Sequence, residues 1–274
     1  MKRTRAAVAA FALTLLAGCG GQAATDVAAD PAGSPSATEP GSPSESPGAA
    51  SIEHPTGADD VVLRIESGGG MVPIEYAVTV QPSLLLTGDG RLFRQPGTRV
   101  DARLIAMTVS RLDEAQVQEL LGLADDAGLL DTPPDYTDTT GPQIADAGTT
   151  TVTVAARGET WRHEAYALAP EGGPARIALS EFIDDSTALV ADVISEPFVP
   201  REVALYVQPT DLERDVVAWP ADGVDLAKTS GCEVAPAEGL VELLSSTRIT
   251  TSFRQDDALY SVSATEVLPG DQPC

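Results

Sequence analysis

Residues 112–130 read LDEAQVQELLGLADDAGLL, and residues 149–166 read TTTVTVAARGETWRHEAY. In the first stretch Val117, Leu120, Leu121 and Ala124 recur at the helical period, which puts one apolar stripe on a helix. Asp113 is placed to cap that helix with Gln116 three residues later, and Gly128 suits its C-terminal turn, so the pattern predicts a helix over 114–127. The second stretch holds two β-prone runs, 149–155 and 160–166, on either side of Arg157-Gly158. Two turn residues between such runs predict a hairpin. A helix followed by an antiparallel hairpin is the combination of an α+β fold.

Working outward, residues 174–190 predict a second helix, with Pro174 in its first turn and Ile177, Phe182, Ile183, Leu189 and Val190 as core positions. Upstream, 61–65 reads as a buried strand, Gly68-Gly69-Gly70 as a turn, and the segment around 75–80 as another strand. A hairpin joins 83–86 to 91–94 through Gly88-Asp89-Gly90, and a further strand is expected within 104–110. Downstream, strands are expected at 203–207, 248–254 and 259–267, with a helix near 238–244. The expected fold is therefore α+β: antiparallel sheets of hairpins with two packed helices over 59–195, then a smaller α+β unit over 196–274.

The N-terminus has a different texture. Lys2, Arg3 and Arg5 precede an uncharged apolar run over 6–17, the two parts of an export signal. A dozen apolar residues are too few to span a bilayer, which takes about 20. The run ends in Leu16-Ala17-Gly18-Cys19, which resembles the lipobox of bacterial lipoproteins. That resemblance implies removal of residues 1–18, lipidation of Cys19, and attachment to the extracytoplasmic face of the cell membrane. Diacylglycerol brings two acyl chains, as stable anchoring requires. Residues 19–58 are rich in Pro, Ser, Gly and Ala and lack aromatic residues, so they read as a disordered tether with a span on the order of 35 Å. Lysine occurs only at positions 2 and 228, a composition that fits GC-rich bacteria such as actinobacteria.

With Cys19 lipidated, an even pair remains in an oxidising compartment, and Cys232 and Cys274 are expected to form a disulfide. Loss of Lys2, Arg3 and Arg5 takes the net charge from −24 to −27. A chain this acidic is repelled by phosphate backbones and anionic head groups, which excludes nucleic acid as a partner and leaves the lipid as the only membrane contact.

The succession of Gly-rich turn, GDG hairpin, 112–130 helix, loop, hairpin and closing helix over 61–190 resembles the small α+β domain of emfourin-type protease inhibitors. That resemblance implies binding to thermolysin-like metalloproteases, and it carries no individual residue with it.

Groups able to do chemistry are few. His54 falls in the expected tether, where nothing would orient it, and His163 lies beside Trp161 and Glu164 on the predicted hairpin. His163 is either a strand residue hydrogen-bonded or solvated at the sheet, or a general base or metal ligand. Lys228-Thr229-Ser230-Gly231 has the form of the KTG element of penicillin-binding proteins, but those enzymes need a second lysine, which is missing downstream of Cys19. The sequence has no G-x-S-x-G elbow, H-E-x-x-H helix or dinucleotide-binding glycine pattern. Asp131, Asp135, Asp138 and Asp146 crowd one loop and form a calcium candidate without EF-hand spacing. No cofactor is implied. The reading that follows is a non-catalytic, surface-displayed binding module with an unspecified protein or cell-wall partner. The alternatives are a carboxylate-based envelope hydrolase, a structural envelope protein and a protease inhibitor.

Overall fold

The computed structural model describes residues 51–96, 101–137, 144–169, 172–220, 223–229 and 231–274. Leu16, Ala17, Gly18 and Cys19, the 1–18 signal, most of the 19–58 tether and Asp138 lie outside them. Among the described residues the strands form two sheets, within one compact unit spanning Ala49–Cys274.

The first sheet contains β1 (Val61–Gly68), β2 (Leu84–Thr87), β3 (Arg91–Arg94), β4 (Thr108–Arg111), β5 (Thr149–Ala156), β6 (Glu159–Tyr166) and β7 (Glu196–Pro197). Their order is β6-β5-β1-β2-β3-β4-β7, antiparallel throughout. Arg157 and Gly158 both take positive φ, +53° and +76°, which is the turn that the β5–β6 hairpin needs. Helices α2 (Glu114–Asp126) and α3 (Pro174–Leu189) cover one face of this sheet. Asp113 and Gln116 make the expected capping box, and Val117, Leu120, Leu121 and Ala124 are buried against Leu63, Val152 and Val154.

The second sheet runs β10-β8-β12-β11-β9, from β8 (Glu202–Pro209), β9 (Val217–Ala218), β10 (Gly231–Pro236), β11 (Phe253–Gln255) and β12 (Ala258–Glu266). It is antiparallel except where β9 meets β11. Its strands alternate with period 2. Val203, Leu205 and Val207 of β8, with Tyr260, Val262 and Ala264 of β12, enter a core closed by α4 (Leu240–Ser246) and Trp219. The residues between them, Tyr206, Gln208, Ser261 and Ser263, therefore face the other way. A third cluster of Leu85, Phe93, Met107 and Leu268 joins the second face of the first sheet to the C-terminal segment. The expected α+β class with antiparallel sheets is what forms, and the expected Cys232–Cys274 disulfide staples the second sheet, with Cα atoms 5.6 Å apart.

Several local expectations give way to tertiary context. The segment expected as a strand at 75–80 instead holds a short helix, α1 (Ile74–Ala77), because β1 already has β2 and β5 as neighbours and Pro73 at the N-cap favours a helical start. Within 104–110 only the end is a strand, since Leu104 turns into the second core and Met107 into the third. Of 248–254 only Phe253 and Arg254 lie in β11; Arg248 and Thr251 close a turn before it. In α3, Phe182 and Val190 are buried, Ile183 and Leu189 partly so, and Ile177 is only half-buried while Leu179 takes a core place. The expected tether extends too far towards the fold. Ile52 packs on the first core and exchanges hydrogen bonds with Gln118 of α2, so residues from 51 onward dock on that helix. Glu196 and Pro197, placed by the sequence at the start of the second unit, pair with β4 in the first sheet.

Candidate binding site

The outward face of the second sheet is built from one cross-strand row. Cys232 on β10 pairs with Tyr206 on β8, which pairs with Ser263 on β12; Gln208 pairs with Ser261 beside them. Small side chains at Gly231, Ser261 and Ser263 leave depth between the larger ones. Helix α1 crosses above, so Ile74 and Val78 roof a hollow of about 260 Å³ whose floor is that row. Two of its four polar side chains are engaged: the Tyr206 hydroxyl donates to the Pro273 carbonyl at 2.7 Å, and Ser261 Oγ accepts from Arg103 at 3.3 Å. Burial, helped by the charge of Asp271, raises the Tyr206 pKa and keeps the phenol neutral. Ile74 of the roof is 50 % exposed, and Met71, Val72 and Tyr76 beside it in the chain are each at least 44 % exposed.

Val78 and Tyr206 also line a second, more polar cleft of about 580 Å³, so the two adjoin at these side chains. One wall is the second face of the first sheet, where Arg64 of β1 and Arg162 of β6 lie in one row through Thr153. The opposite wall is the chain end at 270–273, which the disulfide holds in place. Arg64 forks between Glu66 at 2.8 Å and Asp271 at 2.6 Å, whereas Arg162 pairs with Glu164 on its own strand, where both are about half exposed.

His163 lies on β6, hydrogen-bonded as one of the two sequence readings has it, whereas His54 is not loose in a tether. His163 is fully buried. Its Nε2 lies 3.0 Å from the Leu129 carbonyl, which can only accept, so Nδ1 is the unprotonated nitrogen and accepts from the Tyr136 hydroxyl at 2.7 Å. Burial lowers the His163 pKa and pushes that of Tyr136 up to about 12. With both nitrogens occupied, His163 fastens the 129–137 loop to the hairpin and has no lone pair to offer a substrate. The nearby Arg176 is buried on the carbonyls of Tyr136, Tyr166 and Ala167, which closes the same loop against α3. His54 is oriented after all, through the Pro55 carbonyl and Glu114.

Asp131, Asp135 and Asp146 are exposed, and among the described residues no three His, Cys, Asp or Glu side chains are grouped to hold a metal ion. Asp135 accepts instead from the Thr137 backbone, which lowers its pKa. Lys228 is exposed and paired with Asp225. The sequence did not single out Glu266, the one acid wholly buried among the described residues, and it lines neither the hollow nor the cleft. No described helix is long and apolar enough to cross a membrane.

No protein-family model and no curated protein matches this chain in sequence.

Proposed function

We propose that this chain is a lipid-anchored, extracytoplasmic binding protein whose folded head takes an apolar ligand between α1 and the second sheet. The observation that carries the reading is the hollow itself: an apolar roof of Ile74 and Val78, a floor of small side chains on which Tyr206 and Ser261 are already hydrogen-bonded, and exposed apolar residues next to Ile74 in the chain. Concave, mostly apolar pockets with few polar groups are how small-molecule sites are commonly built. The lipid anchor draws on Leu16-Ala17-Gly18-Cys19 and the apolar run before it. A hydrolase would need two carboxylates in a cleft with separated proton affinities. In this cleft Glu66 and Asp271 are both tied to Arg64.

Two experiments test the two halves of the proposal. Titration with the neutral dye N-phenyl-1-naphthylamine should give a saturable, one-site rise in fluorescence that Ile74→Asp abolishes. Ile74 is 50 % exposed, so this change leaves the fold intact. A signal that does not saturate, or that Ile74→Asp leaves unchanged, refutes the site. Cys19→Ala should move the protein from the membrane fraction to the soluble one, and unchanged fractionation refutes the anchor.

A further inference from the structure

We propose that the hollow and the cleft that adjoins it at Val78 and Tyr206 act together as one site for a single-chain amphiphile with a zwitterionic head group. This rests on the binding reading above and adds the chemistry of the ligand. The hollow accepts the chain. Ile74, Val78 and the Tyr206 ring offer apolar surface, and its single hydroxyl without a partner among the described residues is that of Ser263.

The head group is set by the charges at the far end. Arg64 is shared by two carboxylates, Glu66 and Asp271, so that cluster carries one net negative charge. Arg162, across Thr153 in the same row, lines the cleft while its partner Glu164 does not. A half-exposed ion pair on one strand is weak and exchanges partners at little cost, so Arg162 can turn to an anionic group. The cleft therefore presents a positive point beside a negative one. A head with an anionic and a cationic centre complements both. An anionic head alone would meet the Glu66–Asp271 cluster on a chain of net charge −24, and a cationic head alone would leave Arg162 on Glu164 and draw nothing from it.

Calorimetric titration of the full chain with hexyl-, octyl- and decylphosphocholine, each below its micelle concentration, tests the assignment. The expected result is one site, with binding roughly fourfold tighter per added methylene until the hollow is filled. Octyl sulfate and octyltrimethylammonium should each bind at least tenfold more weakly than octylphosphocholine. Ile74→Asp and Ser261→Phe should abolish binding with an unchanged circular dichroism spectrum; Arg162→Ala should weaken octylphosphocholine several-fold and leave the naphthylamine dye unaffected. Equal or tighter binding of the sulfate or the ammonium overturns the head-group assignment while the binding reading stands. Dye binding that Ile74→Asp abolishes, with no phosphocholine binding at all, overturns the amphiphile and keeps the site. Failure of both probes refutes the two proposals together.

Discussion

Replacing Glu266 by glutamine should remove most of a stability loss that the protein otherwise suffers as pH rises. Glu266 is wholly buried at the end of β12; its Oε2 accepts the Met107 backbone N–H at 2.9 Å, and its Oε1 has no partner among the described residues. Burial raises its pKa from 4.5 to about 7, against the opposing pull of the Met107 hydrogen bond. A raised carboxyl pKa means that the folded protein holds its proton longer than the unfolded chain. Its stabilising contribution is therefore complete below the unfolded value of 4.5 and is lost as pH climbs through 7. The separation between the two values corresponds to about 3 kcal/mol, a substantial part of a typical domain's stability. Glutamine keeps an acceptor for Met107 and cannot ionise, but it places an amide N–H₂ where Oε1 lacks a partner, at a cost of about 1–3 kcal/mol at every pH. Urea unfolding followed by Trp161 and Trp219 fluorescence, run near pH 5 and near pH 9, measures the difference. His163, whose burial lowers its pKa, works in the opposite sense: its contribution is present above the ordinary histidine value and is lost as pH falls. Both proteins carry His163, so it cancels from the comparison. Wild type should lose about 3 kcal/mol more than Glu266→Gln between the two conditions. Parallel pH dependences would show that Glu266 is ionised in the fold at little cost, and the reasoning from burial would be wrong.

Other consequences follow from single contacts. Cys232→Ser with Cys274→Ser should destabilise the protein by about 4 kcal/mol in the chain-entropy model for a 42-residue separation. Thermal melts should then no longer respond to reductant; an unchanged melting temperature would mean that the staple contributes nothing. Tyr136→Phe should cost about 1–2 kcal/mol by leaving His163 Nδ1 buried without a donor, and chemical denaturation that finds no loss would refute the Tyr136–His163 hydrogen bond.

Local signals carried much of the fold. The α2 capping box and the Arg157-Gly158 turn involve neighbours in sequence, so Asp113, Gln116 and the β5–β6 register could be read directly. The period-2 pattern of β8 was equally plain. The segment at 75–80 was misread because its conformation depends on which edges of β1 are already occupied, which is a tertiary fact. Strand β10 was missed because Gly231 and Pro236 bracket only six residues, most of them not buried. His54 looked inert because the docking of 51–58 on α2 has no local signature. The site was barely legible, since it gathers α1, β1, β6, β8, β10, β12 and the chain end. One trace of it was present: Ser261 and Ser263 alternate with Val262 and Ala264, which marks a strand face lined with small side chains.

The proposal that an apolar ligand enters between α1 and the second sheet is tested most directly by amide chemical-shift mapping of the full chain with N-phenyl-1-naphthylamine. The account predicts shifts concentrated at Ile74, Val78, Tyr206, Gly231, Cys232, Ser261 and Ser263. Shifts centred instead on another exposed apolar residue, such as Ile194, Val199 or Leu212, or no shifts at saturating dye, would contradict it.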